Sequence, residues 1–121
     1  MQHMFQGNVE LLVTAFRDQE FGVIVGCGMG GGMTEIIDDV AFARAPIAAD
    51  GAHDLLHMLR TVRRMPILLS NVQARHAADF IAAFSQLAAN APWPKFTLEV
   101  NPLKLGIGSV AAVDGLLVIE S

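Results

Sequence analysis

The chain lacks several features that would assign it to a secreted or membrane class. Among its 121 residues there is one cysteine, Cys27, so no disulfide can form within it, which is typical of a reducing compartment. No apolar stretch approaches the roughly 20 residues of a membrane-spanning helix. The first ten residues lack the basic start and apolar run of a secretory signal. We therefore expect a cytoplasmic protein without a membrane partner.

Positive charge is also scarce. The chain has 8 Lys and Arg residues against 12 Asp and Glu residues, which gives a net charge of −4. The basic residues are scattered except for Arg60, Arg63 and Arg64, which fit the solvated end of a helix. A surface that binds nucleic acid needs a concentrated basic patch, so we expect no nucleic-acid partner.

Apolar residues, by contrast, are abundant. They make up 53% of the chain, and the mean hydropathy is +0.46. A length of 121 residues suits one domain, residues 1–121, with a substantial core. For so short a chain, this apolar fraction also suggests that part of the surface meets a partner.

The residue patterns predict strands, then helices, then strands. Strand formers and turn residues indicate strands at 9–16, 22–27, 34–37, 96–100, 110–113 and 116–119. Helical spacing indicates one helix that begins with Asp50 as its N-cap and ends at Pro66, and a second over 75–90. Pro46 falls in a connecting segment. This order predicts an α+β fold with a mostly antiparallel sheet and two main helices.

The segment FGVIVGCGMGGGMTEII contains a glycine pattern that fits G-x-G-x-x-G, beginning at Gly26. A dinucleotide-binding loop also needs a parallel second strand, whereas a hairpin precedes the glycines and Pro46 occupies the place of that strand. No Lys-Ser/Thr pair follows, so it is not a P-loop. Two interpretations stay open: close backbone approach at the glycines, or N–H groups that surround a phosphate.

The segment TLEVNPLKLGIGSVAAVDG carries oxygen ligands near its strands. Glu99 and Asn101 are two residues apart, so on a strand they share a face. A loop over 102–108 and a returning strand would bring Asp114 close to Asn101. Two carboxylates and an amide are suitable Mg²⁺ ligands. The alternative is turn chemistry alone, with Asn-Pro and Asp-Gly as turn dipeptides.

Two further residue groups could carry chemistry. Cys27 could be a nucleophile, but no base is identifiable and free cysteine is usually buried, so we expect it in the core. His53 and His57 lie one helical turn apart and could bind a metal, but no third ligand is clear. We expect a solvated helix face there.

Taken together, four stretches resemble the C-terminal part of the ATP-grasp domain of NDP-forming acyl-CoA synthetases, the ADP-forming acetate–CoA ligase family related to the succinyl-CoA synthetase β subunit. They are VELLVTAFRDQEFG, GMGGGMTEIIDDVAFARAPI, LEVNPL and VAAVDG, and they cover nearly the whole chain. The residues that carry the resemblance in the first two stretches are Glu10, Arg17, Asp18, Phe21, Gly22, Gly28, Gly30, Gly31, Glu35, Asp39 and Pro46. The chain departs from the family at three places. Ala43 stands where the family often has arginine, residues 71–74 (NVQA) replace a Gly-x-Arg-Gly, and Thr97 replaces an acidic residue.

The resemblance implies a Mg²⁺-dependent ATP or ADP site. The implied nucleotide-binding residues are Glu10, Gly28, Gly30, Gly31 and Glu35, and the implied metal ligands are Glu99, Asn101 and Asp114. It also implies partners, because the N-terminal ATP-grasp lobe, the CoA-binding domain and the phosphorylated histidine are absent from the chain. No catalytic residue can be assigned.

Several functions remain open from the sequence. The chain is expected to contribute to acid–thiol ligation when other domains complete it, and to be inactive alone. The first alternative is a non-catalytic interaction module that keeps the fold, and the second is a Rossmann-type dinucleotide binder. The apolar surface left by the missing lobe also predicts a homodimer or another protein partner.

Overall fold

In the computed structural model, the described residues are 9–29, 39–65, 68–106, 109–112 and 115–120. Within these ranges the chain forms six strands and three helices. In chain order they are β1 (Val9–Asp18), β2 (Gly22–Met29), β3 (Val40–Arg44), α1 (Ala49–Leu56), α2 (Arg60–Arg64), α3 (Asn71–Ala89), β4 (Lys95–Gly106), β5 (Ser109–Ala112) and β6 (Gly115–Glu120). None of the three helices is long and apolar enough to cross a bilayer. The predicted α+β order is confirmed.

The strands form one sheet in which all described pairings are antiparallel, in the order β3-β2-β1-β4-β5. β6 also pairs with β4, because β4 is long enough to accommodate both: its first half pairs with β6 and its second half with β5. The glycine-rich segment therefore follows a strand of an antiparallel hairpin. A dinucleotide-binding loop requires a parallel strand–helix–strand unit, so the Rossmann-type alternative is wrong.

The helices cover one face of this sheet. Alternate residues of β1, among them Leu11 and Val13, are fully buried and pack with Leu56 of α1 and Ile81 of α3 in one cluster. The other residues of β1 lie on the opposite face because strand side chains alternate. We call this opposite side the open face; on β1 it carries Glu10, Leu12, Thr14 and Phe16, all half-buried.

A bulge interrupts the pairing of β4 with β1. Leu11 pairs with Leu103 and Val13 with Val100, so two residues of β4, Asn101 and Pro102, oppose Leu12 alone. Proline has no N–H to donate to the sheet, and a bulge is one of the places where a strand tolerates it. β4 thus continues to Gly106. The expected loop after Pro102 is wrong, and Asn-Pro is not a turn here.

Glycines in β2 allow side chains from β3 to lie across the open face. A Cβ on Gly26 would stand 2.6 Å from the ring of Phe42, and one on Gly28 would stand 2.6 Å from a methyl of Val40. The Phe42 ring also meets Phe16 edge-on, with centroids 6.2 Å apart. Close approach therefore accounts for both glycines, and their backbone needs no positive φ.

β3 is not predicted from the sequence, where residues 42–50 are expected to form a connecting segment around Pro46. Two of the five residues of β3 are alanine, a weak strand former. The strand exists because β2 offers a free edge, with Val25 opposite Ala43 and Cys27 opposite Ala41. The strand predicted over 34–37 lies outside the described residues.

The single helix predicted from Asp50 to Pro66 is wrong in the structure. α1 begins two residues earlier, with Ala48 as its N-cap, and Asp50 is in the first turn, where the helix dipole favours a carboxylate. α1 ends at Leu56, and Leu59, which is extended and fully buried, precedes the short α2. Helical periodicity continues across this break, so the sequence pattern does not reveal it.

α3 begins before the predicted residue 75. Ser70 caps it: its hydroxyl accepts a hydrogen bond from the Gln73 backbone, and the Gln73 side chain accepts one from the Ser70 backbone. Ser-x-x-Gln is a capping-box spelling, so this start was readable from the sequence.

The glycine contacts generate a prediction about stability. Gly28→Ala should destabilise the protein by about 1–3 kcal/mol through overpacking, because the new methyl would also stand 2.9 Å from the backbone oxygen of Asp39. Gly26→Ala should cost less, since Phe42 is half exposed and its ring can move. Urea denaturation followed by circular dichroism measures both.

Gly51 in α1 is the matched control for this series. The nearest atom to a Cβ there is 3.7 Å away, so Gly51→Ala should stabilise the helix by about 0.5–1 kcal/mol. Equal destabilisation by Gly28→Ala and Gly26→Ala would contradict the close approach of the Asp39 backbone to Gly28.

Candidate functional site

Glu99 and Asn101 line one hollow at the edge of the sheet. The hollow has a volume of about 190 Å³, and Gly115 and Leu116 of β6 complete it. Strand alternation places Glu99 on the open face, because it pairs with Thr14 of β1 on one side and Leu116 on the other. Asn101 is exposed and belongs to the bulge. The sequence-based prediction that these two side chains share a face is consistent with this geometry.

The bulge also places the hollow close to the glycine-rich segment. Leu12 of β1 pairs with Gly28 on one side and faces the bulge on the other. Two strand spacings separate Gly28 from Asn101, which is roughly 10 Å. β2 ends at Met29, one residue after Gly28.

Glu10 lies farther from the hollow. It pairs with Lys104, whose amino group is 3.9 Å from the Glu10 carboxylate, and both side chains are about half exposed. Four residues of β1 separate Glu10 from Thr14, or roughly 13 Å along the strand. Lys104 is a candidate residue that sequence reasoning missed, because the bulge hides which face of β4 it occupies. The pair offers one cation and one carboxylate on the open face.

Asp39 connects the end of β2 to the start of α2. Its backbone oxygen accepts a hydrogen bond from Met29 at 3.2 Å. Its buried carboxylate accepts hydrogen bonds from the backbone N–H groups of Arg60 at 2.8 Å and Thr61 at 2.7 Å. This contact explains the helix break, since a continuous helix would leave neither N–H group free.

The hydrogen bonds determine the ionisation of Asp39. Burial raises the pKa of this carboxyl, but the hydrogen bonds from Thr61 and Arg60, with the nearby Arg60 guanidinium at 3.9 Å, hold its pKa below the ordinary 3.8. The carboxylate is therefore charged at neutral pH and stabilises the start of α2.

Cys27 is not a nucleophile in this structure. Its side chain is 1% exposed, and burial, with the Asp39 carboxylate nearby, raises the pKa of its thiol to about 12. The thiolate that nucleophilic chemistry requires is thus absent at neutral pH. The expectation that Cys27 belongs to the core is confirmed.

His53 and His57 do not form a metal site among the described residues. Their rings are 4.4 Å apart, and Nδ1 of His57 is 2.8 Å from the backbone oxygen of His53. In the part of the chain that the structure describes, no group of three His, Cys, Asp or Glu residues could hold a metal.

The Arg-Asp…Phe-Gly hairpin serves the fold. Arg17 donates hydrogen bonds to the backbone oxygens of Trp93 at 3.0 Å and Ala91 at 2.9 Å. The Asp18 carboxylate accepts hydrogen bonds from two N–H groups of the turn, and Gly22 has a φ of 81°, which favours glycine. These motif residues join β1, β2 and the start of β4.

Four predicted site residues lie outside the described residues: Gly30, Gly31, Glu35 and Asp114. The flanks of Asp114 are described, with Ala112 of β5 opposite Leu103 and Gly115 of β6 opposite Val100. The proposed ligand set of Glu99, Asn101 and Asp114 is therefore described only for its first two members.

The described donors fit a hard cation. A carboxylate and an amide oxygen suit Mg²⁺, which usually takes one or two protein carboxylates and completes its shell with water and phosphate oxygens. Among the residues that the structure describes, neither soft sulfur nor imidazole lines the hollow. The donor chemistry therefore agrees with a Mg²⁺–phosphate site.

Comparison with known proteins gives a family match over nearly the whole chain. The family described as ATP-grasp domain matches residues 1–119. The chain is 34% identical over 117 residues to the β subunit of acetate–CoA ligase (ADP-forming) I from Pyrococcus furiosus, covering 91% of this chain and 48% of that protein. It is 31% identical over 121 residues to acetate–CoA ligase (ADP-forming) I from Archaeoglobus fulgidus, covering 98% of this chain and 18% of that protein.

Solved structures share the fold. The chain matches acetyl-coenzyme A synthetase 1 from Ca. Korarchaeum cryptofilum, in complex with coenzyme A and Mg-AMPPCP, with a TM-score of 0.81 and 21% identity, covering 93% of this chain and 53% of that one. It matches PH1788 from Pyrococcus horikoshii with a TM-score of 0.82 and 20% identity, over 93% of this chain and 48% of that one. The chain thus spans about half the length of these two structures. It spans 48% of the Pyrococcus furiosus protein and 18% of the Archaeoglobus fulgidus protein.

The Asp39 contacts predict a pH-dependent stability. Asp39→Asn should cost about 1–3 kcal/mol of unfolding free energy at pH 7, because an amide cannot accept from both N–H groups with equal strength. A lowered pKa contributes stability that is complete above the ordinary value of 3.8 and is lost as pH falls through the folded pKa. The difference in unfolding free energy between wild type and Asp39→Asn should therefore narrow as the pH falls below 3.8. Urea denaturation at stepwise lower pH measures it.

Asp54, an exposed aspartate of α1, supplies the control. Asp54→Asn should change the unfolding free energy by less than about 0.5 kcal/mol at pH 7. If both variants were equally stable at that pH, the role assigned to the Asp39 carboxylate would be wrong.

Proposed function

The chain belongs to the ATP-grasp domain family, and on that premise we propose that it is the Mg²⁺–nucleotide-binding lobe of an ADP-forming acyl-CoA synthetase. The proposed role is to hold ATP or ADP against the open face while an acid is joined to the thiol of coenzyme A. The observation that carries the proposal is the hollow at the β4 bulge, where Glu99 and Asn101 lie together. The names of the relatives support the reaction class.

The proposed metal ligands are Glu99, Asn101 and Asp114. These three residues would hold Mg²⁺, which would supply positive charge against the nucleotide phosphates, the main requirement of phosphoryl transfer. Glu99 and Asn101 bind from a rigid strand, and the bulge directs Asn101 into the same hollow. The residues would position the metal and add no covalent step of their own.

The phosphate chain is proposed to extend from this hollow toward the glycines. Gly28 is roughly 10 Å from Asn101 across the sheet, and residues 30–38 follow it. Gly30, Gly31 and Glu35 are proposed to lie near the phosphates, with Glu10 and Lys104 farther along the open face. Lys104 supplies the cation there, and its contact with Glu10 keeps it on that face.

The open face also needs a second lobe. Phe42 is 51% exposed and Val40 is 38% exposed, beside the half-buried Phe16 and Ile24. An apolar face with carboxylates at one side suits a cleft that closes over a nucleotide and excludes water. We infer that the N-terminal ATP-grasp lobe covers this face, and that the CoA-binding domains and a phosphohistidine complete the reaction. The chain alone is therefore inactive, and a cytoplasmic location is proposed with it.

Titration calorimetry with ATP and ADP tests the metal site. Wild-type protein should bind nucleotide only with Mg²⁺, and weakly, because one lobe supplies only part of the contacts. Asn101→Ala combined with Glu99→Gln should lower the affinity about 10-fold or more, since it removes the amide oxygen of Asn101 and the negative charge of Glu99, and about 1.4 kcal/mol corresponds to a factor of ten.

Asn71 and Glu20 supply the matched control, because both are exposed and lie outside the hollow. Asn71→Ala combined with Glu20→Gln should leave the affinity unchanged. An absence of binding at millimolar nucleotide would overturn the proposal for this lobe, and a non-catalytic interaction module would then explain the chain better. Loss of binding in both double variants would exclude a specific role for the hollow.

A further inference from the structure

Basic residues are distributed unevenly along this acidic chain. The segment from Leu55 to Ala78 contains four of the eight Lys and Arg residues and none of the 12 Asp and Glu residues. Three of these four arginines, Arg60, Arg63 and Arg64, form most of the short helix α2. The proposed nucleotide site uses none of them, so this concentration of positive charge has another cause.

The arginines of α2 surround one buried residue. Val62 packs into the core, whereas Arg60, Arg63 and Arg64 are exposed. α2 is roughly 7.5 Å long, so the three side chains share a small area. Within the described residues, the guanidinium groups of Arg63 and Arg64 have neither an ion pair nor a hydrogen bond. The helix dipole favours arginine at this end of α2, but that interaction leaves the N–H donors of both groups free.

Two methionines add apolar surface to this basic area. Met58 precedes α2 and is 58% exposed, and Met65 follows α2 and is 40% exposed. We call Met58, Arg63, Arg64 and Met65 the arginine–methionine surface. Protein interfaces are enriched in Arg and Met and depleted of Lys, Asp and Glu, and residues 55–78 contain none of these last three. Composition and exposure therefore indicate a protein-binding surface.

We propose that the arginine–methionine surface binds an acidic segment of a protein partner, one that carries leucine or similar side chains between its carboxylates. A guanidinium group donates two parallel hydrogen bonds to a carboxylate, which suits Glu or Asp of the partner. The flexible methionine side chains adapt to the apolar residues of the segment. The surface belongs to the helix layer, so a bound partner need not cover the open face.

Two other anionic partners fit this surface less well. Single-stranded nucleic acid is held by aromatic stacking beside basic residues, and residues 55–78 include no Phe, Tyr or Trp. A membrane-binding helix presents a long apolar face to the lipid, whereas α2 has fewer than two turns and its one valine, Val62, is buried in the core. An acidic protein segment matches both the charge and the apolar part of the surface.

NMR of isotope-labelled methionine methyl groups in the full chain, without nucleotide, tests the proposal. The probe is a synthetic peptide of four Glu-Glu-Leu repeats. The methyl signals of Met58 and Met65 should shift with added peptide until they saturate. Binding should weaken several-fold when NaCl is raised from about 50 mM to about 300 mM, because exposed charge pairs are screened by salt.

Charge reversal on α2 tests the assigned residues. Arg63→Glu combined with Arg64→Glu should weaken binding of the Glu-Glu-Leu peptide about 10-fold or more. The same variant should bind a peptide of Lys-Lys-Leu repeats, which a merely misfolded variant cannot do.

Arg75 and Lys95 supply the matched control, because their reversal makes the same change in net charge at exposed positions elsewhere. Arg75 lines a hollow with Ala49 and Asp50 at the first turn of α1, whereas α2 follows the last turn of α1, and Lys95 begins β4. Arg75→Glu combined with Lys95→Glu should bind the Glu-Glu-Leu peptide within about 3-fold of the wild type.

Three results would overturn the proposal. The first is methionine signals that do not move at peptide concentrations up to about 5 mM. The second is equal weakening by both double variants, since net charge alone would then explain the binding. The third is tighter binding of phosphatidylserine vesicles or of oligouridylate than of the peptide, lost in the α2 variant, which would exclude an acidic protein segment as the partner. No readout contains Mg²⁺ or nucleotide, so these results are independent of the proposed function.

Discussion

The bulge at Asn101 and Pro102 is the constraint on which the candidate site depends. It lets β4 continue past a proline and keep β1 as its partner on both sides of the irregularity. It also marks the point on β4 between the residues that pair with β5 and those that pair with β6. A proline that cannot donate a hydrogen bond is thereby accommodated next to Asn101, which lines the hollow with Glu99. The hollow therefore lies beside this irregularity.

Backbone contacts around β2 connect the site to the helical layer. Gly26 and Gly28 have no Cβ, which lets Phe42 and Val40 lie across the open face. Asp39 then joins Met29 to the start of α2 through its backbone oxygen and its carboxylate. The few residues on either side of the glycine-rich segment therefore take part both in the packing of the open face and in the capping of α2.

The open face extends onto β6, because Leu116 pairs there with Glu99. This face combines aromatic side chains with carboxylates and a lysine, and is proposed to close over a nucleotide with a second lobe. Leu116 lines the hollow and is 57% exposed, so the hollow borders the exposed aliphatic side chains of β6.

The sequence by itself determined the order of the other strands and helices, the β1–β2 hairpin and the buried Cys27, because these follow from periodicity and from local turn chemistry. Only the tertiary structure decided that β3 exists, that a helix breaks before Arg60, and that β4 passes through Pro102. In each case the cause is a partner distant in sequence: the edge of β2, the carboxylate of Asp39, and the pairing with β1. Lys104 joins the open face for the same reason, since its orientation depends on a bulge whose register only β1 defines.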